Sequence, residues 1–381
     1  MFKKFAQLEN RAERLELFNL LKLNLQILLK LAELLTLVIL ASGPAWRLGA
    51  ALAEAAGPAA GPALAIIIMM LIFGLVRLPF ICCLRHLNAS FGLDPRPTEK
   101  FLKQFLGCET RLGGLGLVVS LVLFWGLTVT NLWLWTIFAV IIGAVLILAY
   151  TLRPELIKPL TLRPPSPGEM DADFLARIDK WSDKTGLSSL DVCIGTDYFP
   201  GLKRPGLIGL GRRSKLIIPE KCLISFRPRQ LNILVTAAIV EALAKAPEKI
   251  MLLRFSAIAV AAPLAGILIS LVGTGLWGYP ARYSPALMTQ IWLAGWISFN
   301  LAEMSIRMTR RSIETQAAAV AAMLLKDGEA LEEALAILAE RNLEEESPSA
   351  ITGFFSPHYD RKRFMKHVRQ HQHMAMFKDE D

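Results

Sequence analysis

The sequence predicts a mainly α, polytopic membrane helical bundle of about six transmembrane helices that carries an α/β insert. Three observations predict it. Of 381 residues, 54% are hydrophobic and only 20% are charged, against about 45–50% and about 25% in ordinary soluble domains, and the mean hydropathy is +0.43. The apolar residues fall into runs near the roughly 20 residues that a bilayer core requires. The stretch between the fourth and fifth runs changes to mixed composition with strand-like alternation.

In chain order, residues 1–23 read as an amphipathic helix, with Phe5, Leu8, Leu15, Phe18 and Leu21 near helical spacing. Such a helix is expected to lie on the membrane surface before the chain turns inward. Residues 24–152 form a four-helix membrane region with spans at Leu25–Ala41, Gly61–Leu84, Leu112–Val129 and Leu132–Leu152. Lys30 and Glu33 interrupt the first span; buried charges in a membrane invite a functional reading, as readily as a paired structural one. The Ala/Gly/Pro-rich stretch 42–61 reads as a compact loop. Pro159, Pro164, Pro165 and Pro167 mark the next boundary.

Residues 153–250 are the α/β insert. Asp171–Thr185 has helical spacing and Asp191–Phe199 alternates like a strand. Gly206–Gly211 and Lys215–Ile218 flank a hairpin turn, and Arg229–Ala246 is an apolar helix. Two further membrane helices follow within 251–306, at Met251–Trp277 and Pro285–Ala302. Residues 307–381 form a helical C-terminal region, where Glu329–Asn342 places Leu331, Leu335 and Leu338 on one face.

Lys and Arg residues precede the first span, separate the second from the third and follow the sixth, which predicts cytoplasmic termini and a cytoplasmic insert. The expected location is a bacterial plasma (inner) membrane. The charged first twenty residues argue against a cleavable signal peptide. Juxtamembrane charge accounts for the net +9 without nucleic acid. The five cysteines include no C-x-x-C pair and read as free thiols.

Four stretches stand out together: Leu78-Pro79-Phe80 through Phe91-Gly92-Leu93 to Leu106-Gly107, the segment Gly206–Glu220, the helix from Arg229, and Arg311–Ala318 with Ser356-Pro357-His358 beyond it. In this order they are similar to the integral-membrane CAAX prenyl protease family of gluzincin-type zinc metallopeptidases. The resemblance implies zinc, held by two histidines at i and i+4 of an H-E-x-x-H helix whose glutamate polarises a water. Counted from Pro228, those places hold Ala237, Ala238 and Glu241; another register makes Glu241 the general base, with Val240 and Ala244 in the ligand places. Neither supplies a histidine, since none lies between His86 and His358. Glu314 matches the family's third ligand, and Ala318 replaces the aspartate that orients a histidine.

The expectation is therefore a pseudopeptidase, with no catalytic residue and no cofactor. It would be a binding or assembly factor for a peptide or membrane protein, with Gly206, Leu207, Ile208, Gly209, Ile217 and Ile218 as a peptide-binding edge. One alternative is an active metalloendopeptidase with a site rebuilt from Glu241, Glu314 and His358, whose oxygen donors would favour a harder metal than zinc. Another is an unrelated transporter or channel. For Glu241 the bland reading is a surface carboxylate paired with Lys245, four residues on. For His367, His371 and His373 it is a solvated basic helix.

Overall fold

The structure is a computed structural model. It describes residues 11–57, 60–94, 97–152, 161–166, 169–170, 174–176, 178–179, 190–196, 204–209, 214–271, 286–343 and 365–366. The first helix, α1 (Arg11–Ala41), runs unbroken through residues 23 and 24. Among the described residues, 11–23 of the expected surface helix and the first span are thus one element. Its N-terminal half packs on protein at two points: Phe18 is fully buried against Leu87, Phe91 and Leu93, and Asn19 Nδ2 donates to the Leu343 carbonyl at 3.2 Å.

The stretch expected as a loop contains a helix, α2 (Pro44–Ala56). Pro44 opens it, where a missing N–H costs nothing, and its alanines favour the helix once it packs. It lies tightly on α3 (Ala60–Ser90). A Cβ at Gly61 would stand 2.4 Å from the Ala53 Cα and N, so only glycine permits this approach. Helices α4 (Thr98–Val129) and α5 (Leu132–Leu152) follow. They are pinned where Trp135 Nε1 donates to the Leu123 carbonyl at 2.9 Å.

The insert is a four-stranded mixed sheet of β1 (Thr161–Arg163), β2 (Asp191–Thr196), β3 (Gly206–Ile208) and β4 (Lys215–Pro219), in the order β1-β2-β4-β3. The β3–β4 pair is the expected antiparallel hairpin, while β2 and β4 run parallel. Leu216 and Ile218 alternate onto the buried face. After the short α6 (Glu220–Ser225) comes α7 (Pro228–Leu243), buried on nearly every side from Gln230 to Val240. A helix that is apolar all round belongs in a core. Gln230 Oε1 accepts from the Arg227 N–H at 3.0 Å and closes its first turn.

Helix α8 (Ala246–Ile267) is followed by the 40-residue α9 (Ala286–Leu325) and by α10 (Gly328–Asn342). As the spacing predicts, α10 buries Leu331, Leu335 and Leu338. They join one core with the sheet, α7 and the last turns of α9. Asp327 caps α10 by accepting from the Ala330 N–H at 3.0 Å and also pairs with Arg229.

Among the described residues, five helices are long and apolar enough to cross a membrane: within α1, α3, α4, α5 and α8. This is a polytopic integral membrane protein. The segment expected as a sixth span is helical within α9, but its described residues are not apolar enough to be counted with these five. Thr289, Gln290 and Ser298 are buried against neighbouring helices, while Phe299 and Leu301 are exposed.

Candidate functional site

The site expected from the sequence sits where α7, α9 and the lead into β3 converge. Glu241 lies in the last turn of α7 and Glu314 midway along the C-terminal half of α9. The structure brings both to one guanidinium. Arg204 Nη2 lies 2.9 Å from Glu241 Oε1 and 2.5 Å from Glu314 Oε1. Arg310, one turn before Glu314, adds a longer pair at 3.4 Å. The side chains of Arg204, Glu241 and Glu314 are 25%, 19% and 12% exposed, so this bridge is mostly withdrawn from solvent and screened less than a surface pair.

Electrostatics follow from that placement. Burial pushes the Glu241 carboxyl up from its ordinary value, and the neighbouring Glu314 pushes it the same way. Arg204 and Arg310 act in the opposite sense. Two carboxylates that share a shielded site repel one another unless a cation lies between them; here the protein supplies that cation as a side chain. Lys245, the expected partner of Glu241, is exposed and takes a left-handed backbone conformation beyond the end of α7. The surface-pair reading of Glu241 is therefore corrected: its partner comes from 37 positions earlier, not from the next helical turn.

Ala237, Ala238 and Ala318, where the resemblance would place a ligand, a base and an orienter, are all buried in one core with Ala319, Ala321 and Ala322. They lie between α7 and α9, where small side chains let two backbones approach.

Of the residues expected on a binding edge, Gly206, Leu207 and Ile208 do form the edge strand β3, with Gly209 just beyond. Ile217 and Ile218 do not. They belong to β4, flanked by β2 and β3, and Ile218 is fully buried. The alternation that suggested an exposed edge there is that of an interior strand. His358, His367, His371 and His373 lie outside the described residues.

The chain has the fold of S. mikatae Ste24p. The crystal structure of that protein matches with a TM-score of 0.63, covering 81% of this chain and 76% of that one at 16% sequence identity. No family model matches the sequence, and no curated protein matches it. The likeness to Ste24p is thus one of fold.

Within the Ste24p-like fold, the residues present can be tested against the zinc that the sequence resemblance implies. The donors are two carboxylates already engaged by a guanidinium, beside three buried alanines. Among the described residues no group of three or more His, Cys, Asp or Glu could hold a metal. Zinc sites are built from imidazole and thiolate as well as carboxylate, so this set does not fit zinc.

Sequence reasoning missed Arg204. Its own segment carries no signal of the contact, because its partners lie 37 and 110 positions further along the chain. It also missed Arg77, inside α3. The Arg77 Nε stands 3.0 Å from Glu33 Oε1, while Lys30 Nζ and Trp296 Nε1 reach Glu33 Oε2 at 2.9 and 3.0 Å. The charged pair noticed in the first span is thus the centre of a three-helix network.

Proposed function

We propose that this chain is a metal-free member of the CAAX prenyl protease family, in which an arginine has taken the place of the metal cation. Its role is to bind an extended peptide or a segment of a membrane protein, not to cleave it. One observation carries the reading: Arg204 Nη2 joins Glu241 and Glu314, the only carboxylates at the family's ligand-bearing positions. The four stretches of sequence resemblance and the Ste24p-like fold support the family.

The chemistry follows from the donor set. An H-E-x-x-H site needs neutral imidazoles and a carboxylate free to take a proton from water. Here imidazoles are missing from α7, and Glu241 is engaged by a guanidinium that never deprotonates in proteins. What the arrangement retains is mechanical. Arg204 belongs to the segment leading into β3, so the bridge holds that edge strand against α7 and α9. A strand fixed in this way offers one row of backbone N–H and C=O groups to an incoming extended segment. The Lys/Arg distribution supports a cytoplasmic position for this edge.

The test uses detergent-purified full-length protein and a photo-crosslinking residue at Leu207. The proposal expects capture of an extended peptide segment without cleavage, with unchanged capture after chelator treatment. Chelator-sensitive proteolysis lost in Glu314→Ala would overturn it in favour of a rebuilt metallopeptidase centre.

A further inference from the structure

The network around Glu33 lies outside the proposed peptide site and is built differently. It joins α1, α3 and α9 inside the bundle. Glu33, with a side chain 5% exposed, takes Lys30 and Trp296 on one oxygen and Arg77 on the other. Lys30 stands 5.9 Å from the Trp296 ring and Arg77 5.8 Å from the Phe73 ring, so both cations also lie over aromatic faces. Lys30 and Arg77 thus both lean on one carboxylate within membrane-spanning helices, where charge is costly to bury.

Lys30 is the member of the cluster that reaches the outer face of the bundle. On α1, Ile27, Leu31, Leu35 and Val38 are exposed, while Glu33 and Leu37 are buried. Lys30 falls on the seam between those faces, and its side chain is 51% exposed. An ammonium has three donors, and the hydrogen bond to Glu33 uses one. Leu31, Leu35 and Val38 continue from this point along α1 as an open apolar strip. An anionic group followed by an acyl chain is the chemistry that fits both parts.

We propose that Lys30, held upright by Glu33 and backed by Arg77, is a binding site for the phosphate of an anionic membrane lipid, whose acyl chain lies along Leu31, Leu35 and Val38. Basic pockets between membrane helices are known to hold such headgroups. Lysine can also extend its ammonium toward the interface while its stem stays among apolar groups. Glu33 fixes the ammonium at the rim of the bundle through its 2.9 Å hydrogen bond, and Trp296, which shares that carboxylate, reports on the site.

The experiment reconstitutes the full chain in vesicles of phosphatidylcholine with a fixed fraction of brominated lipid, either brominated phosphatidylglycerol or brominated phosphatidylcholine. The Trp296 contribution to fluorescence is isolated by difference from Trp296→Phe. Quenching should show about a fivefold preference for the anionic lipid over the zwitterionic one at this site. Lys30→Gln should bring the two to parity, and Lys30→Arg, which keeps the charge, should retain the preference. Equal quenching by both lipids, or a preference that survives Lys30→Gln, overturns the proposal. Excess inorganic phosphate should leave the preference intact; if it erases it, the site is one for a soluble oxyanion and the lipid assignment fails.

Discussion

Replacing Arg204 by alanine is the perturbation to which the site should respond most. Both carboxylates touch one nitrogen, at 2.9 and 2.5 Å, so their nearest oxygens are within about 5 Å of each other. Without the guanidinium, two unit charges at that distance and an effective dielectric near 20 repel by about 3 kcal/mol. That agrees with the roughly 3–5 kcal/mol lost when one partner of a buried ion pair is removed. It is an upper value here, since the side chains keep some solvent contact and Glu241 can relieve the strain by taking a proton. The expected loss is about 2–3 kcal/mol, read as a lower apparent Tm in detergent. Amide exchange at Gly206–Ile208 should rise, because the edge strand loses its anchor. Adding Glu314→Gln to the Arg204→Ala background should recover most of the loss, as no second charge is left to repel. If Arg204→Ala changes stability by less than about 0.5 kcal/mol and leaves β3 exchange unaltered, the guanidinium does not hold this site together.

Further outcomes follow from the same structure. In Arg204→Ala, Glu241 loses a partner that favoured its charged form, so its folded pKa should rise further above the unfolded value. Its contribution is complete below the unfolded pKa and is lost as pH rises through the folded one. The variant should therefore regain stability, relative to the parent, as pH is lowered from 7 toward 5, measured by thermal melts across pH. Asp327→Ala removes both the α10 cap and the partner of Arg229, and should cost about 1–2 kcal/mol. Arg229 and the cap hold the Asp327 carboxyl below its usual range, so this difference should be full at neutral pH and vanish as pH falls through that lowered pKa. Gly61→Ala should cost about 1–3 kcal/mol through overpacking, since its Cβ would meet backbone atoms at 2.4 Å; a melt unchanged from the parent would contradict the close approach of α2 and α3.

Periodicity disclosed the elements whose neighbours are local. The α10 leucines, the β3–β4 hairpin and the apolar α7 are all legible because 3.6- or 2-residue spacing is a property of one segment. Residue chemistry disclosed the missing histidines and marked Glu241 and Glu314 as the acidic remainder of the site. What stayed hidden depends on long-range partners. Arg204 meets Glu314 from 110 positions away, and nothing within its own segment signals that contact. The same holds for Phe18, whose burial on α3 turned an expected surface helix into a packed one, and for Ile217 and Ile218. Their alternation is that of any strand, and only the sheet order shows them to be interior. The sixth expected span illustrates another limit: Thr289, Gln290 and Ser298 are tolerated there because neighbouring helices cover them.

The most direct test of the central claim is the metal content of the detergent-purified full-length protein after incubation with excess zinc and exhaustive buffer exchange. The arginine-bridged site predicts far less than one zinc per chain, with no change between the parent and Glu314→Ala. One zinc per chain, lost on Glu314→Ala, would show that the carboxylates serve a metal and that Arg204 does not replace it.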